Sequence, residues 1–352
     1  QIPAVKKTVN HAMVSRGIVS IKPHVSKIYW PYPVSFIFFF RSRLWVWITK
    51  GLLALGILYA TLPFILRLFP GIVQHLVYKH AITYFVDLSR PYDLALNHTV
   101  NMYLSSEEGV TLGVWHTVPE HKWKEAQGKS LDWYEKSLGD GSPVFIYLHG
   151  NRGSRWENFY GTRFGDSTGE PTEAGLTTDA LYLYHWVRAR SKGSLVIFWG
   201  HSLGTFVSTN TAVILQEQGN PVDAVILEGA LVKPDLPDDQ LKLPNPFTWY
   251  CWRFPYIQYF FKDLTKNTFS FNNHANLKKM RTPLLILHSK DDHLAPFWMA
   301  EKIYSIAKNV LNSDKLVKMV PFDGSHGYLH NGLYRDPGLP GIIREFVQSL
   351  TA

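Results

Sequence analysis

The pentapeptide Gly200-His201-Ser202-Leu203-Gly204 is the stretch that decides the fold of this chain. It follows an apolar run at 195–199, Leu-Val-Ile-Phe-Trp, and precedes a helix-compatible segment at 203–218. A G-x-S-x-G sequence between a strand and a helix is typical of a nucleophile elbow, a tight turn whose glycines permit a strained serine with an exposed Oγ. Ser202 is therefore the candidate nucleophile, and the alternative is a serine that only caps a helix.

The segments around this turn alternate between strand and helix patterns. Continuous apolar runs, which are typical of buried parallel strands, lie at 144–148, 195–199, 224–227, 284–288 and 316–320. Helical patterns lie at 177–190, 203–218, 297–307 and 342–350. This alternation predicts an α/β fold, with a mostly parallel sheet and helices on both faces.

The segment before this core carries a different pattern. Short strands at 99–104 and 110–118 flank a polar turn and predict an opening hairpin. Charged residues and glycine dominate the stretch from 120 to 142, which we expect to be a loop or a loosely attached helix.

A serine nucleophile needs a base to take its proton and a carboxylate to orient that base. In this class of fold the chain order is serine, acid, histidine. The strand at 284–288 leads into the pair Asp291 and Asp292, of which Asp292 is the preferred acid and Asp291 the reserve. The last strand leads into two histidines, His326 and His330, and the pattern does not choose between them.

An oxyanion site requires backbone donors near the nucleophile. The N–H of Leu203, directly after the serine, is one candidate donor. The other comes from the turn His149-Gly150-Asn151 at the end of the first core strand, with Asn151 as the preferred residue. No metal or organic cofactor is expected, and the single cysteine, Cys251, excludes an internal disulfide and a cysteine-rich zinc site.

The net charge of +8 comes entirely from the N-terminal segment. Residues 1–50 contain eight lysines and arginines and no acidic residue, so the remainder is neutral. This argues against a nucleic-acid-binding catalytic domain and for a basic arm, at 1–43, that contacts an anionic membrane or sets membrane orientation. A solvated tail is the alternative.

A membrane anchor is expected directly after the arm, at 44–69. The stretch 51–66 has no charge, and its extension back to Leu44 is interrupted only by Lys50, which gives the length that a bilayer requires. A buried or interfacial helix is the alternative. Positive charge on the N-terminal side predicts a cytoplasmic N-terminus, and Asn97-His98-Thr99 then becomes a lumenal glycosylation sequon at Asn97.

The remaining domain boundaries follow from these elements. Linker and opening strands occupy 70–142, and the catalytic domain occupies 143–352. An insertion at about 231–276 interrupts its alternation and contains nine aromatics between 247 and 261. Such a segment suits a lid that accepts an acyl chain or contacts the bilayer, and ordinary cap packing would produce it equally well.

Five motifs together give the chain a family resemblance. They lie at 113–119, 149–151, 164–169, 200–205 and 283–288. With these residues the chain resembles the abhydrolase-domain-containing protein 12 family, most of all its paralogue B, over residues 80 to 350. The resemblance implies the α/β-hydrolase fold and a membrane-anchored serine hydrolase of lysophosphatidylserine and monoacylglycerols, with its catalytic domain in the lumen. We expect the endoplasmic reticulum membrane and a lipid substrate, with no nucleic-acid partner.

The resemblance also implies roles for individual residues. By motif, the nucleophile is Ser202, the acid is Asp292, and the base is His330 rather than His326. Family members carry a helix and a strand between the motifs at 149–151 and 164–169, whereas only residues 152–163 intervene here. Twelve residues are too few for both, so a core helix–strand unit is missing and the sheet is expected to be split. A start at Gln1 also suggests a shortened chain.

Two other functions therefore stay open at this point. A split sheet favours a catalytically silent, hydrolase-like membrane scaffold. An acyltransferase would use the same acyl-serine and differ only in whether water or an alcohol accepts the acyl group.

Overall fold

The structure is a computed structural model that describes residues 34–69, 87–150, 167–168, 172–232, 273–313 and 315–351. The chain divides after Thr61 into two compact units. Its helices are α1 Val34–Leu68, α2 Trp123–Ala126, α3 Leu131–Ser137, α4 Glu173–Arg188, α5 Leu203–Glu217, α6 Asn273–Lys279, α7 Trp298–Leu311 and α8 Leu339–Ser349. Its strands are β1 Thr99–Glu107, β2 Val110–Thr117, β3 Val144–Leu148, β4 Val196–His201, β5 Ala224–Glu228, β6 Leu284–Ser289 and β7 Val317–Phe322.

Helix α1 contains the segment that the sequence marks as an anchor. Its stretch from Arg43 to Thr61 is long and apolar enough to cross a membrane, with a mean hydropathy of 1.5. Large apolar side chains such as Leu52 and Leu53 are about two-thirds exposed there, and Trp47 is 72% exposed beside the Lys50 ammonium. Exposed apolar surface of this extent is typical of a membrane span or of a contact with another protein.

The core sheet has five parallel strands in the order β3-β4-β5-β6-β7. Its continuous apolar strands are buried because helices cover both faces. Side chains alternate along each strand, so that Phe198 contributes to the cluster under α4, α5 and α7. Ile197, the preceding residue, contributes to the cluster under α8, with Phe346 at its centre. The sheet and its two helical layers confirm the α/β-hydrolase architecture that the sequence predicts.

The opening hairpin forms a separate, two-stranded antiparallel sheet of β1 and β2. It lies against α4, where the Ser106 hydroxyl donates to Asp179 at 2.7 Å. The side chains of Ser167 and Thr168 accept hydrogen bonds from the β2 amides of Gly113 and Thr111. Among the described residues, no strand joins this hairpin to the edge strand β3. Within this part of the chain, the hairpin and the five-stranded sheet are thus two separate sheets.

The observed helices and core strands differ from the predicted ones mainly in where they begin and end. Helix α4 begins at Glu173 because Thr172 caps it, its hydroxyl accepting from the Gly175 amide at 3.0 Å. The segment 120–142 is better attached than expected, because it forms α2 and α3 and buries Tyr134. The aromatic insertion lies outside the described residues except at its two ends.

Candidate active site

The turn between β4 and α5 holds Ser202 in a strained conformation. Its φ of 51° and ψ of −115° lie in a region that residues other than glycine rarely adopt. The flanking glycines make this turn possible. A Cβ on Gly200 would lie 2.4 Å from the Gly204 carbonyl oxygen, and a Cβ on Gly204 would lie 1.8 Å from the Leu148 carbonyl oxygen. Local sterics thus require the G-x-S-x-G pattern here.

Two neighbouring strands hold this turn in place. The Ser202 amide donates to the carbonyl oxygen of Glu228, at the end of β5, at 3.0 Å. At the end of β3, a Cβ on Gly150 would lie 2.9 Å from the Ser202 Cβ, so the backbone passes close to the serine. Leu203 is the first residue of α5, and its N–H has no acceptor within the helix. Asn151 lies outside the described residues.

Asp292 lies just after β6 and is almost completely buried. Its Oδ1 accepts from the amides of Leu294 and Ala295 at 2.9 and 2.8 Å, and its Oδ2 accepts from His330 Nδ1 at 2.7 Å. Burial alone raises the pKa of this carboxyl, but the hydrogen bonds from His330 and the two amides outweigh it, so the pKa is lowered. The arrangement fixes the His330 ring with its Nε2 as the free nitrogen for proton transfer.

The loop after β7 delivers His330 rather than His326 to this acid. His326 is exposed and stacks on Tyr328 with ring centroids 5.2 Å apart. Asp291 contacts the loop and not the His330 ring: its Oδ1 accepts from the Leu329 amide at 3.1 Å and from the Ser289 hydroxyl. Leu329 has a φ of 53°, so this contact supports a strained residue next to the histidine.

The turn after β5 contacts both Ser202 and His330. The carbonyl oxygen of Glu228 accepts a hydrogen bond from the Ser202 amide. A Cβ on the next residue, Gly229, would lie 3.0 Å from His330 Cε1. Gly229 has a φ of 55°, so both its conformation and its surroundings require glycine. Positions 202, 292 and 330, which are far apart in the chain, therefore meet around one turn at the carboxyl edge of the sheet, where open α/β sheets bind ligands.

Two buried histidines next to this site were given no role by the sequence patterns. His201 Nε2–H donates to the His330 carbonyl oxygen at 3.0 Å, and His288 Nε2–H donates to the Ala295 carbonyl oxygen at 2.7 Å. Burial lowers the pKa of both rings, which keeps them neutral at pH 7. Their place at the carboxyl ends of β4 and β6 is the sequence signal that marks them.

Glu228 is a third residue that sequence patterns missed. Its carboxylate accepts from the Trp199 indole Nε1 at 2.9 Å and is buried beside the nucleophile turn. Within the described residues there is no group of three or more histidine, cysteine, aspartate or glutamate side chains able to hold a metal ion.

Similar proteins of known name, and not a family model, identify the family of this chain. No protein-family model matches the chain. Lysophosphatidylserine lipase ABHD12 of Macaca fascicularis is 41% identical over 329 residues, covering 87% of this chain and 82% of the relative. Protein ABHD12B of Homo sapiens is 40% identical over 285 residues, covering 75% of this chain and 76% of the relative.

The comparison also bears on the shortened core. The alignment with the Macaca protein spans 329 residues, but 87% of 352 residues is only about 306, so about 23 residues of the relative have no counterpart here. Among solved structures, the Pyrococcus furiosus esterase Pf2001 aligns with a TM-score of 0.51 at 17% identity, covering 76% of this chain and 96% of that one, which supports the fold alone. Fold, elbow and sequence identity agree, and the chain belongs to the ABHD12 family of α/β-hydrolases.

Proposed function

We propose that this chain is a membrane-anchored serine hydrolase that cleaves the acyl ester of single-chain lipids. The observation that carries the proposal is the buried Asp292–His330 pair, with 2.7 Å between its oxygen and nitrogen, next to Gly229, whose neighbour Glu228 accepts from the amide of the strained Ser202. The names of the relatives, lysophosphatidylserine lipases, support a lysophospholipid as substrate. A monoacylglycerol presents the same acyl ester and is the second substrate class.

The mechanism follows from the roles that these groups can take. His330 Nε2 takes the proton of the Ser202 hydroxyl as Oγ attacks the ester carbonyl, and Asp292 stabilises the imidazolium that forms. The backbone N–H of Leu203, with that of Asn151 as its proposed partner, stabilises the oxyanion. His330 then protonates the leaving alcohol, and an acyl-Ser202 remains. Water, deprotonated by the same histidine, releases the fatty acid and restores the serine.

The first experiment is labelling of the full chain in membranes with a fluorophosphonate probe. We expect wild type to be labelled, Ser202→Ala to be unlabelled, and Ser208→Ala to behave as wild type. Ser208 is a matched control because its hydroxyl donates to the Gly204 carbonyl oxygen within the same helix. Labelled protein is then tested for fatty-acid release from lysophosphatidylserine, other lysophospholipids and monoacylglycerols.

One observation favours a second function, a catalytically silent scaffold. Among the described residues the β1–β2 hairpin is separate from the five-stranded sheet, so β3, which leads to the Gly150 turn beside Ser202, is an edge strand. A well-expressed wild type that takes up no probe would support the scaffold and contradict the hydrolase.

The proposed location is the endoplasmic reticulum membrane, with a cytoplasmic N-terminus and a lumenal hydrolase domain. Helix α1, whose residues 43–61 can span a bilayer, and the basic segment before it support this orientation. Asn97 is exposed in a turn before β1, so a glycosyltransferase could reach it. We expect peptide N-glycosidase to increase the gel mobility of the wild type and to leave Asn97→Gln unchanged. An unglycosylated wild type whose hydrolase domain is digested by protease added to sealed microsomes would contradict the orientation.

A further inference from the structure

A large cavity lies along the outer edge of β3, facing the separate hairpin. Its volume is about 1030 Å³, at the upper end of the range for ligand pockets. The walls are mainly apolar and come from the hairpin, β3, β4 and the helices on both sides; they include Val114, Val118, Ile146, Leu183, Trp199 and Leu339. The cavity occupies the position at which the sheet is divided.

The cavity has charged groups at its two ends and apolar walls between them. One end is lined by Lys122 and Asp140, which form an ion pair with each other. Glu228 lines the other end, where its carboxylate is bonded to the Trp199 indole. His116 lies in the wall, and burial lowers its pKa to about 4, so it is neutral at pH 7. The middle of the cavity therefore presents no net charge to a ligand.

The Glu228 end of the cavity lies next to the turn that carries Ser202. The carbonyl oxygen of Glu228 accepts the Ser202 amide at 3.0 Å, and Gly229 packs against the His330 ring. From there the cavity follows β3 back to Val144, Pro143 and Ser142. The five steps between residues 142 and 147, at about 3.3 Å each, give a length of about 16 Å. The cavity is thus long and apolar, and one backbone hydrogen bond joins its Glu228 end to the turn that carries Ser202, although Ser202, Asp292 and His330 are not themselves among its lining residues.

We propose that this cavity binds the acyl chain of the substrate, with the ester at the Glu228 end and the terminal methyl group towards Val144. An unbranched hydrocarbon chain matches the shape and the apolar walls, and burying each methylene group favours binding by up to about fourfold. The inference rests on the proposed function, because the ester bond of this lipid must reach Ser202 for its acyl chain to occupy the cavity. The volume left in place of the missing helix–strand unit would then set the length of acyl chain that the enzyme accepts.

The test is photo-crosslinking with lysophosphatidylserine that carries a diazirine on its acyl chain. The protein is the full chain in nanodiscs with Ser202→Ala, so the ligand stays intact and the result does not depend on hydrolysis. A diazirine near the terminal methyl group should give adducts on residues 142–146, and one near the ester should give adducts around residues 228–230. Adducts confined to α1, or independent of diazirine position, would contradict the proposal.

Variants of the cavity wall are compared with a control variant outside it, on the same Ser202→Ala background. Val114→Phe narrows the cavity and should reduce adducts of the terminal diazirine on the order of tenfold. Val110→Phe, on the same strand but outside the cavity lining, is the matched control and should change nothing. If Val114→Phe lowers the melting temperature strongly, Trp186→Ala, which widens the cavity at a half-buried position, should instead shift the preference towards longer chains.

Hydrolysis by the active protein separates this inference from the proposed function. In Val114→Phe with Ser202 intact, we expect kcat/KM for a palmitoyl substrate to fall on the order of tenfold relative to that for an octanoyl substrate. Hydrolysis whose chain-length dependence is the same in wild type, Val114→Phe and Val110→Phe would refute the cavity assignment and leave the hydrolase intact. Position-dependent adducts without any hydrolysis would support the cavity assignment and refute the hydrolase.

Discussion

Two adjacent aspartates, Asp291 and Asp292, have different surroundings at the residue scale. Asp292 accepts from the His330 ring, whereas Asp291 accepts from the Leu329 amide and the Ser289 hydroxyl. The difference arises because successive side chains after β6 point in different directions. One aspartate can therefore orient the proposed base while the other holds the loop that carries it.

Substitution of each aspartate by asparagine should separate these roles. Asp292→Asn presents an amide to His330 Nδ1 and favours the wrong tautomer, so we expect kcat to fall by about 10⁴. Asp291→Asn retains an oxygen acceptor for the Leu329 amide and should lower kcat less than about tenfold. Ester hydrolysis, with melting temperature as the folding control, measures both. An equal loss in the two variants would contradict the assignment of the acid.

The buried histidines give a pH dependence below neutrality. His116 has a pKa of about 4 in the fold against 6.5 for an ordinary histidine, because burial disfavours its charged form. The unfolded chain therefore binds the proton more readily, and the free energy of unfolding decreases as the pH falls from 6.5 to about 4. His201 and His288, whose pKa values burial also lowers, act with the same sign.

We expect His116→Phe to reduce this decrease by up to about 3 kcal/mol, since one pKa unit corresponds to about 1.4 kcal/mol. The cavity beside His116 admits some solvent, which makes this an upper value. Chemical denaturation at a series of pH values measures it in both proteins. Asp292 acts in a lower window: its pKa is lowered, so its contribution is present above 3.8 and is lost only as the pH falls through its folded pKa. If the free energy of unfolding depends on pH in the same way in wild type and in His116→Phe, the role of His116 is refuted.

At the scale of elements, the elbow depends on the close approach of α5 to β3. Gly204 lies in the first turn of α5, and a Cβ there would lie 1.8 Å from the Leu148 carbonyl oxygen. A backbone atom cannot move away as a flexible side chain would. The strand–turn–helix unit therefore tolerates no side chain at this position. The helical backbone conformation of Gly204 would by itself accept one.

A pair of glycine-to-alanine variants tests this argument. Gly204→Ala should lower the free energy of unfolding by about 3 kcal/mol or more and abolish fluorophosphonate labelling. Gly341→Ala is the matched control, because Gly341 also lies in the first turn of a helix, α8, and a Cβ there would have no neighbour within 4 Å. It should raise stability by up to about 1 kcal/mol. Guanidinium denaturation measures both, and similar effects in the two variants would contradict the steric explanation.

At the scale of the whole molecule, the main feature is a sheet in two parts. The Macaca relative carries about 23 residues that this chain lacks within the aligned region, and the sequence motifs place the deletion between 151 and 164. The five-stranded sheet still buries both of its faces without them, since its own strands and helices supply most of the two core clusters and the hairpin adds Met102, Leu112 and Val114. In the described residues, β3 is an edge strand of the five-stranded sheet, and the cavity lies beside it.

Insertion of the corresponding segment of the Macaca protein after Asn151 should close this gap. We expect the melting temperature to rise by several degrees, because a strand would join β2 to β3 and fill the cavity with apolar side chains. Crosslinking by the terminal diazirine at residues 142–146 should fall at the same time. A scrambled insert of the same length is the control, and an equal effect of both inserts would show that the cavity is not the position of the missing strand.

Much of this molecule follows from the sequence. The continuous apolar runs predict the five core strands because strands buried on both faces need no alternation, and the elbow follows from steric requirements that only glycine meets at Gly200 and Gly204. The exposed apolar segment of α1 is likewise evident from composition and length. Local patterns determine these features because their causes are local.

Only the tertiary structure decided which distant residues meet. Sequence patterns alone left His326 and His330 as equal candidates, and the family resemblance was needed to prefer one. The choice in the structure depends on the loop geometry set by Asp291 and Leu329, which brings His330 and not His326 to Asp292. The positions of His201, His288 and the cavity beside β3 likewise depend on packing between elements far apart in the chain. Sequence determined the elements through local sterics and hydrophobicity, whereas the site and its cavity were decided by long-range packing, which no local pattern encodes.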